Sequence, residues 1–256
     1  MIKYRKKEDK KRIILLIVLL FICLFFEYKD NIKEYFNKDK EKVEEVYELS
    51  NIPPYSGEDV IVLNNNEPEF GDLARTTESF EVYSPLDKLG RCGEAYANIG
   101  IDLMPTSKRE SIGSIKPSGW KIAKYDIITD GLYLYNRCHL IAYQLTAENA
   151  NPKNLITCTR HANADLMQQY EIKVGNYIRK TSNHVLYRST PIFEGDNLVA
   201  TGIQLEALSI EDNGKGIKFN VFIYNVQPGI EIDYKTGESK LIEWVYFCLK
   251  KNIIIV

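Results

Sequence analysis

Histidine is scarce in this chain, with three residues in 256. Any imidazole chemistry near neutral pH therefore rests on His139, His161 or His184. Cysteine is almost as sparse. The five cysteines (Cys23, Cys92, Cys138, Cys158 and Cys248) lack the spacing of a small disulfide-stapled domain. Four of them could pair, but buried free thiols fit the spacing better. No apolar run reaches the ~20 residues of a comfortable membrane span. Internal repeats and low-complexity tracts are absent, and composition is ordinary for a globular protein, at 45% hydrophobic and 27% charged. The net charge of −2 lacks the strong basic excess typical of nucleic-acid binders.

That balance conceals an asymmetry. Residues 1–12 hold seven Lys/Arg against Glu8 and Asp9, a local +5, and the remainder sums to −7. Residues 104–180 turn basic again, with eleven Lys/Arg against six Asp/Glu, which suits a phosphate groove. Behind the basic head, Ile13 to Phe26 is an unbroken apolar run of 14 residues, closed by Glu27-Tyr28-Lys29-Asp30. No small-x-small cleavage site follows, so an uncleaved signal-anchor over 1–28 is expected, with a cleaved leader as the alternative. The basic head keeps the N-terminus cytoplasmic and places the body outside the cell. Residues 29–51 are rich in Lys, Glu and Asp with spaced apolar residues, reading as a charged helical stalk. Ile52-Pro53-Pro54 then opens a domain running from 52 to 256.

Within that domain the patterning predicts α+β structure. Val60–Leu63 reads as a strand turned by Asn64-Asn65-Asn66, and extended pieces follow near 76–82 and 91–100. Gly131–Tyr135 favours a strand, and Leu155–Thr157 a short one. From Arg160 the period becomes helical, with Leu166, Met167, Tyr170, Val174, Tyr177 and Ile178 on one face. The segments 184–189 and 198–210 read as a hairpin about Gly195-Asp196-Asn197, with a third strand at 219–225. The apolar segment 241–256 is available for a sheet edge.

Chemistry concentrates between these elements. Tyr135-Asn136-Arg137-Cys138-His139 is followed by an asparagine-rich loop (Asn149, Asn151, Asn154) and then by Arg160-His161-Ala162-Asn163. Amides and imidazoles are costly to bury unpaired, so their clustering between apolar residues points to a site. His139 sits at a strand exit, where a fixed imidazole can face a cleft. Asn163 extends the apolar helical stripe backwards, as a satisfied core amide or as a metal ligand through its carbonyl oxygen. Cys138, His139, Cys158 and His161 also raise zinc. However, adjacent residues on an extended chain point to opposite faces, which argues against that set.

The stretch Asn136-Arg137-Cys138-His139 resembles the Asp-Arg-Gly-His or Asn-Arg-Ser-His signature of the DNA/RNA non-specific endonucleases with a ββα-metal fold, in the branch of streptococcal-type secreted DNases. The resemblance runs from about Ile52 to Tyr234, through Lys116-Pro117-Ser118-Gly119-Trp120 and Glu194-Gly195-Asp196-Asn197. It implies a mostly antiparallel central sheet and Mg²⁺-dependent hydrolysis of DNA, and of RNA, with Mn²⁺ as a substitute ion. In the implied roles, His139 is the general base and Asn163 the direct metal ligand. Glu171 holds water around the ion, and Arg137 and Arg109 bind phosphate. Asn154 and Arg160 make secondary substrate contacts.

Three positions depart from the pattern: Asn136 for the commoner aspartate, Cys138 for Gly or Ser, and His161 where an aromatic is typical. A tethered nuclease must also be kept from cytoplasmic DNA, by export or by an inhibitor protein. The competing reading is a catalytically idle surface-binding module that retains the nuclease fold.

Overall fold

Strand-forming residues alternate in phase along three consecutive segments, and these build the centre of a sheet. In the computed structural model, which describes residues 47–71, 76–129 and 131–243, β6 (Val185–Ile192) and β7 (Gly202–Ser209) form an eight-residue antiparallel ladder. Val185 pairs with Ser209 and Ile192 with Gly202. Strand β8 (Lys218–Tyr224) continues on one side, with Ile203 opposite Ile223. A slip of one residue would turn each inward-facing row outward, so the buried face fixes the register.

The other strands complete a six-stranded antiparallel sheet in the order β1-β8-β7-β6-β3-β2. Here β1 is Val60–Val62, β2 Phe80–Tyr83 and β3 Ala95–Ile99. After β1 the chain turns through Asn64, Asn65 and Asn66, all at positive φ, a conformation asparagine tolerates better than most residues.

A second module packs on one face of this sheet. Strands β4 (Tyr135–His139) and β5 (Leu155–Thr159) pair antiparallel. Between them lie a single helical turn, α1 (Tyr143–Thr146), and the asparagine-rich loop. After β5 comes a π-helical stretch, His161–Met167, which runs directly into α2 (Gln168–Thr181). The main core fills the space between the sheet and this ββα unit, joining Ala97, Tyr187, Leu205 and Val221 to Leu140, Ile156, Met167, Val174 and Ile178. A smaller cluster around Ile128, Leu134 and Tyr135 lies beside the two-stranded ribbon of β9 (Ile230–Ile232) and β10 (Ser239–Leu241).

The mixed α+β class and antiparallel sheet agree with the sequence reading, and several boundaries move. The strand expected at Gly131–Tyr135 begins at Tyr135 and carries the motif itself. Gly131 and Leu132 both take positive φ, so the chain turns there before extending. The expected free thiols at Cys138 and Cys158 are instead joined as a disulfide across β4 and β5, with Cα atoms 5.9 Å apart. Cys92 is a buried free thiol, as expected. The signal-anchor, most of the stalk, Cys23, Cys248 and nearly all of 241–256 lie outside the described residues. No described helix is long and apolar enough to cross a membrane.

Candidate active site

His139 is the last residue of β4, and its side chain leaves the strand on the face opposite Cys138, whose sulfur joins the core disulfide. The imidazole is 6% exposed. Its Nε2 lies 2.8 Å from the carbonyl oxygen of Asn149, in the loop that returns toward β5. A carbonyl can only accept, so Nε2 carries the proton and Nδ1 keeps its lone pair. Burial depresses the imidazole pKa to about 4, the Asn149 carbonyl opposing that shift and the Arg109 charge adding to it. The side chain is therefore neutral at physiological pH, with its basic nitrogen toward Arg109, whose Nη2 is 3.5 Å away.

Arg109 links the base to the helix. Its charge also acts on Glu171 of α2, which is 8% exposed and makes no hydrogen bond among the described residues. Burial raises the Glu171 carboxyl pKa to about 8, and Arg109 draws it back only partly. Glu171 is thus a buried acid, not a glutamate on the helix surface. Tyr187, fully buried on β6, feels the same carboxylate and has a hydroxyl without a partner among the described residues.

Asn163 lies within the π-helical stretch. Its carbonyl accepts from the Gln168 amide, the i→i+5 bond of that winding. In a regular α-helix, residues eight apart differ by about 80° around the axis. The wider π turn takes up more residues per revolution and so brings Asn163 round toward the face of Glu171. The Asn163 side-chain amide has no hydrogen-bond partner among the described residues, and it lines a groove of about 490 Å³ together with Arg109 and Arg137. An unpartnered amide oxygen in a groove lined by Arg109, whose charge also reaches the buried Glu171 carboxyl, suits an oxygen-seeking divalent cation such as Mg²⁺. No described cluster of three or more His, Cys, Asp or Glu could hold a metal ion, and the disulfide removes the thiolates a zinc site would need.

Arg137 faces the same groove with two of its five donors engaged. Its Nε donates to the Ile115 carbonyl and Nη2 to that of Gly113, and the guanidinium stacks 4.0 Å from the Trp120 ring centre. Trp120 is placed by a turn over Pro117-Ser118-Gly119-Trp120, closed by the Trp120 amide on the Pro117 carbonyl. Gly119 takes φ +66°, and a Cβ there would strike Val199, so glycine is required at this corner.

Two expected substrate contacts read differently. Asn154 is fully buried, and its amide both donates to the Ile141 carbonyl and accepts from the Ile141 amide. It clamps the chain just after His139 and is closed to substrate. Arg160 stands at the start of the helix, its backbone amide bonded to Leu134, and does not line the groove. His161 bridges Asp59 and Asp165, each at 2.9 Å. Burial lowers its pKa, but the bonds and charges of the two aspartates hold it above the ordinary value. It braces the helix start. The sequence did not foretell the Asn149 carbonyl, the disulfide, or the apolar groove wall formed by Trp120, Ile122 and Tyr133.

A family model described as DNA/RNA non-specific endonuclease matches residues 73–210. Among solved structures the chain is similar to NucA from Streptococcus agalactiae, in forms without metal and with magnesium bound. Each shows a TM-score of 0.64 and 27% identity over 76% of this chain and 92% of that one. It is also similar to the Sda1 nuclease with bound zinc ion, with a TM-score of 0.53 and 29% identity over 64% of this chain and 80% of that one.

Proposed function

Since this chain belongs to the DNA/RNA non-specific endonuclease family, we propose that it hydrolyses DNA and RNA outside the cell in a Mg²⁺-dependent reaction with His139 as general base. The chain is a non-specific endonuclease, and its own side chains supply the base, the seat for the ion and the grips on phosphate. The fixed, neutral imidazole of His139 beside Arg109 is the observation that carries this assignment.

Asn163 would hold the ion through its amide oxygen, with Glu171 ordering the surrounding water. When bound, Mg²⁺ would offset the charge that develops on the phosphorane. His139 Nδ1 takes a proton from the attacking water, whose oxygen then bonds to phosphorus as one P–O ester bond breaks. The leaving oxygen departs with that electron pair and takes a proton from solvent water. The Asn149 carbonyl keeps the ring in the required tautomer and stabilises the imidazolium formed at that moment. Arg109 offers its guanidinium to the phosphate oxygens, while Arg137 holds the 113–120 loop and presents its remaining donors to the groove. Mn²⁺ has the same preference for oxygen ligands and is expected to substitute.

The same proposal includes residues 1–28 as a signal-anchor and 29–51 as a stalk, with 52–256 as the exported catalytic domain. An inhibitor protein is a partner the topology leaves room for. Protease treatment of intact cells checks this arrangement, since the domain must be digested while the N-terminal head is protected.

The test of function incubates plasmid DNA and RNA with the protein, with Mg²⁺ or EDTA, alongside His139→Ala. Cleavage should require the ion and fall by ~10²–10⁴-fold in the variant. A folded wild-type protein that cuts nothing with Mg²⁺ or Mn²⁺ would turn the assignment to an idle binding module.

A further inference from the structure

We propose that the groove beside His139 and Asn163 is a stacking subsite for one unpaired nucleobase, so that single strands and opened duplexes are cut faster than closed duplex. This rests on the nuclease reading and names the substrate form that the site prefers.

The groove has two chemically distinct sets of lining residues. Arg109 and Asn163 are the groups to which phosphate and ion belong, and Trp120, Ile122 and Tyr133 are apolar. Ile122 is 77% exposed and Tyr133 47% exposed. Apolar surface of this extent beside a polyanion site needs an explanation. A closed duplex offers it sugars, phosphates and base edges, while the flat base faces are stacked inside. A splayed base, however, presents a flat apolar face of the kind that aromatic platforms bind without regard to sequence.

The rings are held in place before any ligand arrives. The Arg137 guanidinium lies 4.0 Å from the Trp120 ring centre, and the Lys124 ammonium lies 4.4 Å from that of Tyr133. Each cation covers one face of its ring and adds positive charge to the aromatic wall, so a base stacks on an uncovered ring face and less side-chain freedom is lost on binding. Asn136, whose side-chain amide has no partner among the described residues, lines the same groove. An amide both donates and accepts, so it can meet the polar edge of any base. Because the aromatic residues line the same groove as Arg109 and Asn163, a base seated there belongs to a nucleotide close to the bond being cut.

The test uses the full chain and short labelled oligonucleotides: a single strand, the same strand with one abasic residue moved stepwise along it, and the duplex. At one offset from the cleaved bond, the abasic residue should lower kcat/KM by roughly tenfold. Tyr133→Ala combined with Ile122→Ala should impose a similar loss on the intact strand and add little on the abasic one. Intact and abasic strands cut equally well, or substitutions that act equally on both, would overturn the subsite. Fluorescence anisotropy in EDTA separates this from the nuclease reading. Without turnover, wild-type protein should still bind the intact strand several-fold tighter than the abasic strand, and the double variant should not. Equal binding would sink the subsite even if cleavage is robust, and unequal binding with no cleavage would leave the subsite standing while the catalytic assignment falls.

Discussion

Replacing Glu171 by glutamine should stabilise the metal-free protein at alkaline pH while abolishing its activity. In the folded chain burial carries this carboxyl from 4.5 to about 8. Between those values the folded state holds a proton that the unfolded state has released, so stability falls as pH rises and levels off above about 8. Each pH unit in that window is worth ~1.4 kcal/mol. From pH 5 to pH 8 the wild type should therefore lose about 3–4 kcal/mol relative to Glu171→Gln, which has nothing to ionise. The comparison must be made as a difference between the two proteins. His139 works in the opposite sense: its folded pKa is depressed to about 4, so its contribution grows as pH rises toward 6.5 and partly masks the glutamate in wild type alone. Urea unfolding in EDTA at several pH values provides the assay. Mg²⁺ should stabilise the wild type at pH 8 more than the variant, because the variant keeps the Asn163 amide but lacks the carboxylate whose charge the ion offsets. A stability gap that stays constant from pH 5 to 8 would refute the claim that Glu171 is buried without a compensating partner.

Cys138→Ala together with Cys158→Ala should cost about 3 kcal/mol for the 20-residue separation the bond spans. A dithiothreitol-treated wild type should unfold at the same denaturant concentration as the double variant, and no change on reduction would argue that the bond is absent in solution. Asn154→Ala strands the Ile141 amide and carbonyl in the interior. A loss of roughly 2–5 kcal/mol by chemical denaturation is expected, whereas normal stability with weakened substrate binding would return Asn154 to the groove. With a basic nitrogen already free near pH 5, the acid limb of kcat/KM should not report an ordinary imidazole at 6.5. Arg109→Ala should move the His139 titration upward, and a limb at 6.5 in the wild type would show that His139 is more solvated than the structure has it.

How far the site is legible in the sequence differs by residue for physical reasons. His139 and Asn163 stand out because each is a polar group set beside or on an apolar pattern, whereas Glu171 lies off the apolar stripe and only the family resemblance singled it out. Arg109, 30 residues ahead of His139, lies in a polar loop whose spacing carries no periodic signal, and only the family resemblance located it. Asn154 shows the opposite difficulty. An asparagine that clamps a backbone and one that meets substrate have the same composition and neighbours along the chain, and only the pairing with Ile141 distinguishes them. The disulfide depends on hairpin register, since Asn136 stands opposite Cys158 and Ile156 opposite Cys138, which sets the two sulfurs diagonally. The displaced start of β4 turns on left-handed φ values at Gly131 and Leu132, and leucine gives no warning of that. The sheet strands were easier, because alternation over seven or eight residues survives an error of two at either end.

The π-helical stretch before α2 makes one helix serve two reference frames. Beyond Met167 the winding is regular, and Val174, Gly175 and Ile178 keep step with the sheet they pack against. Ahead of it, Asn163 keeps step with the hairpin and the groove. The extra width of the intervening turn acts as a spacer between these phases. Sequence drift on the core side can proceed by ordinary helical rules without rotating the amide that faces the chemistry, and insertions or deletions within 161–167 are the changes that would disengage the two.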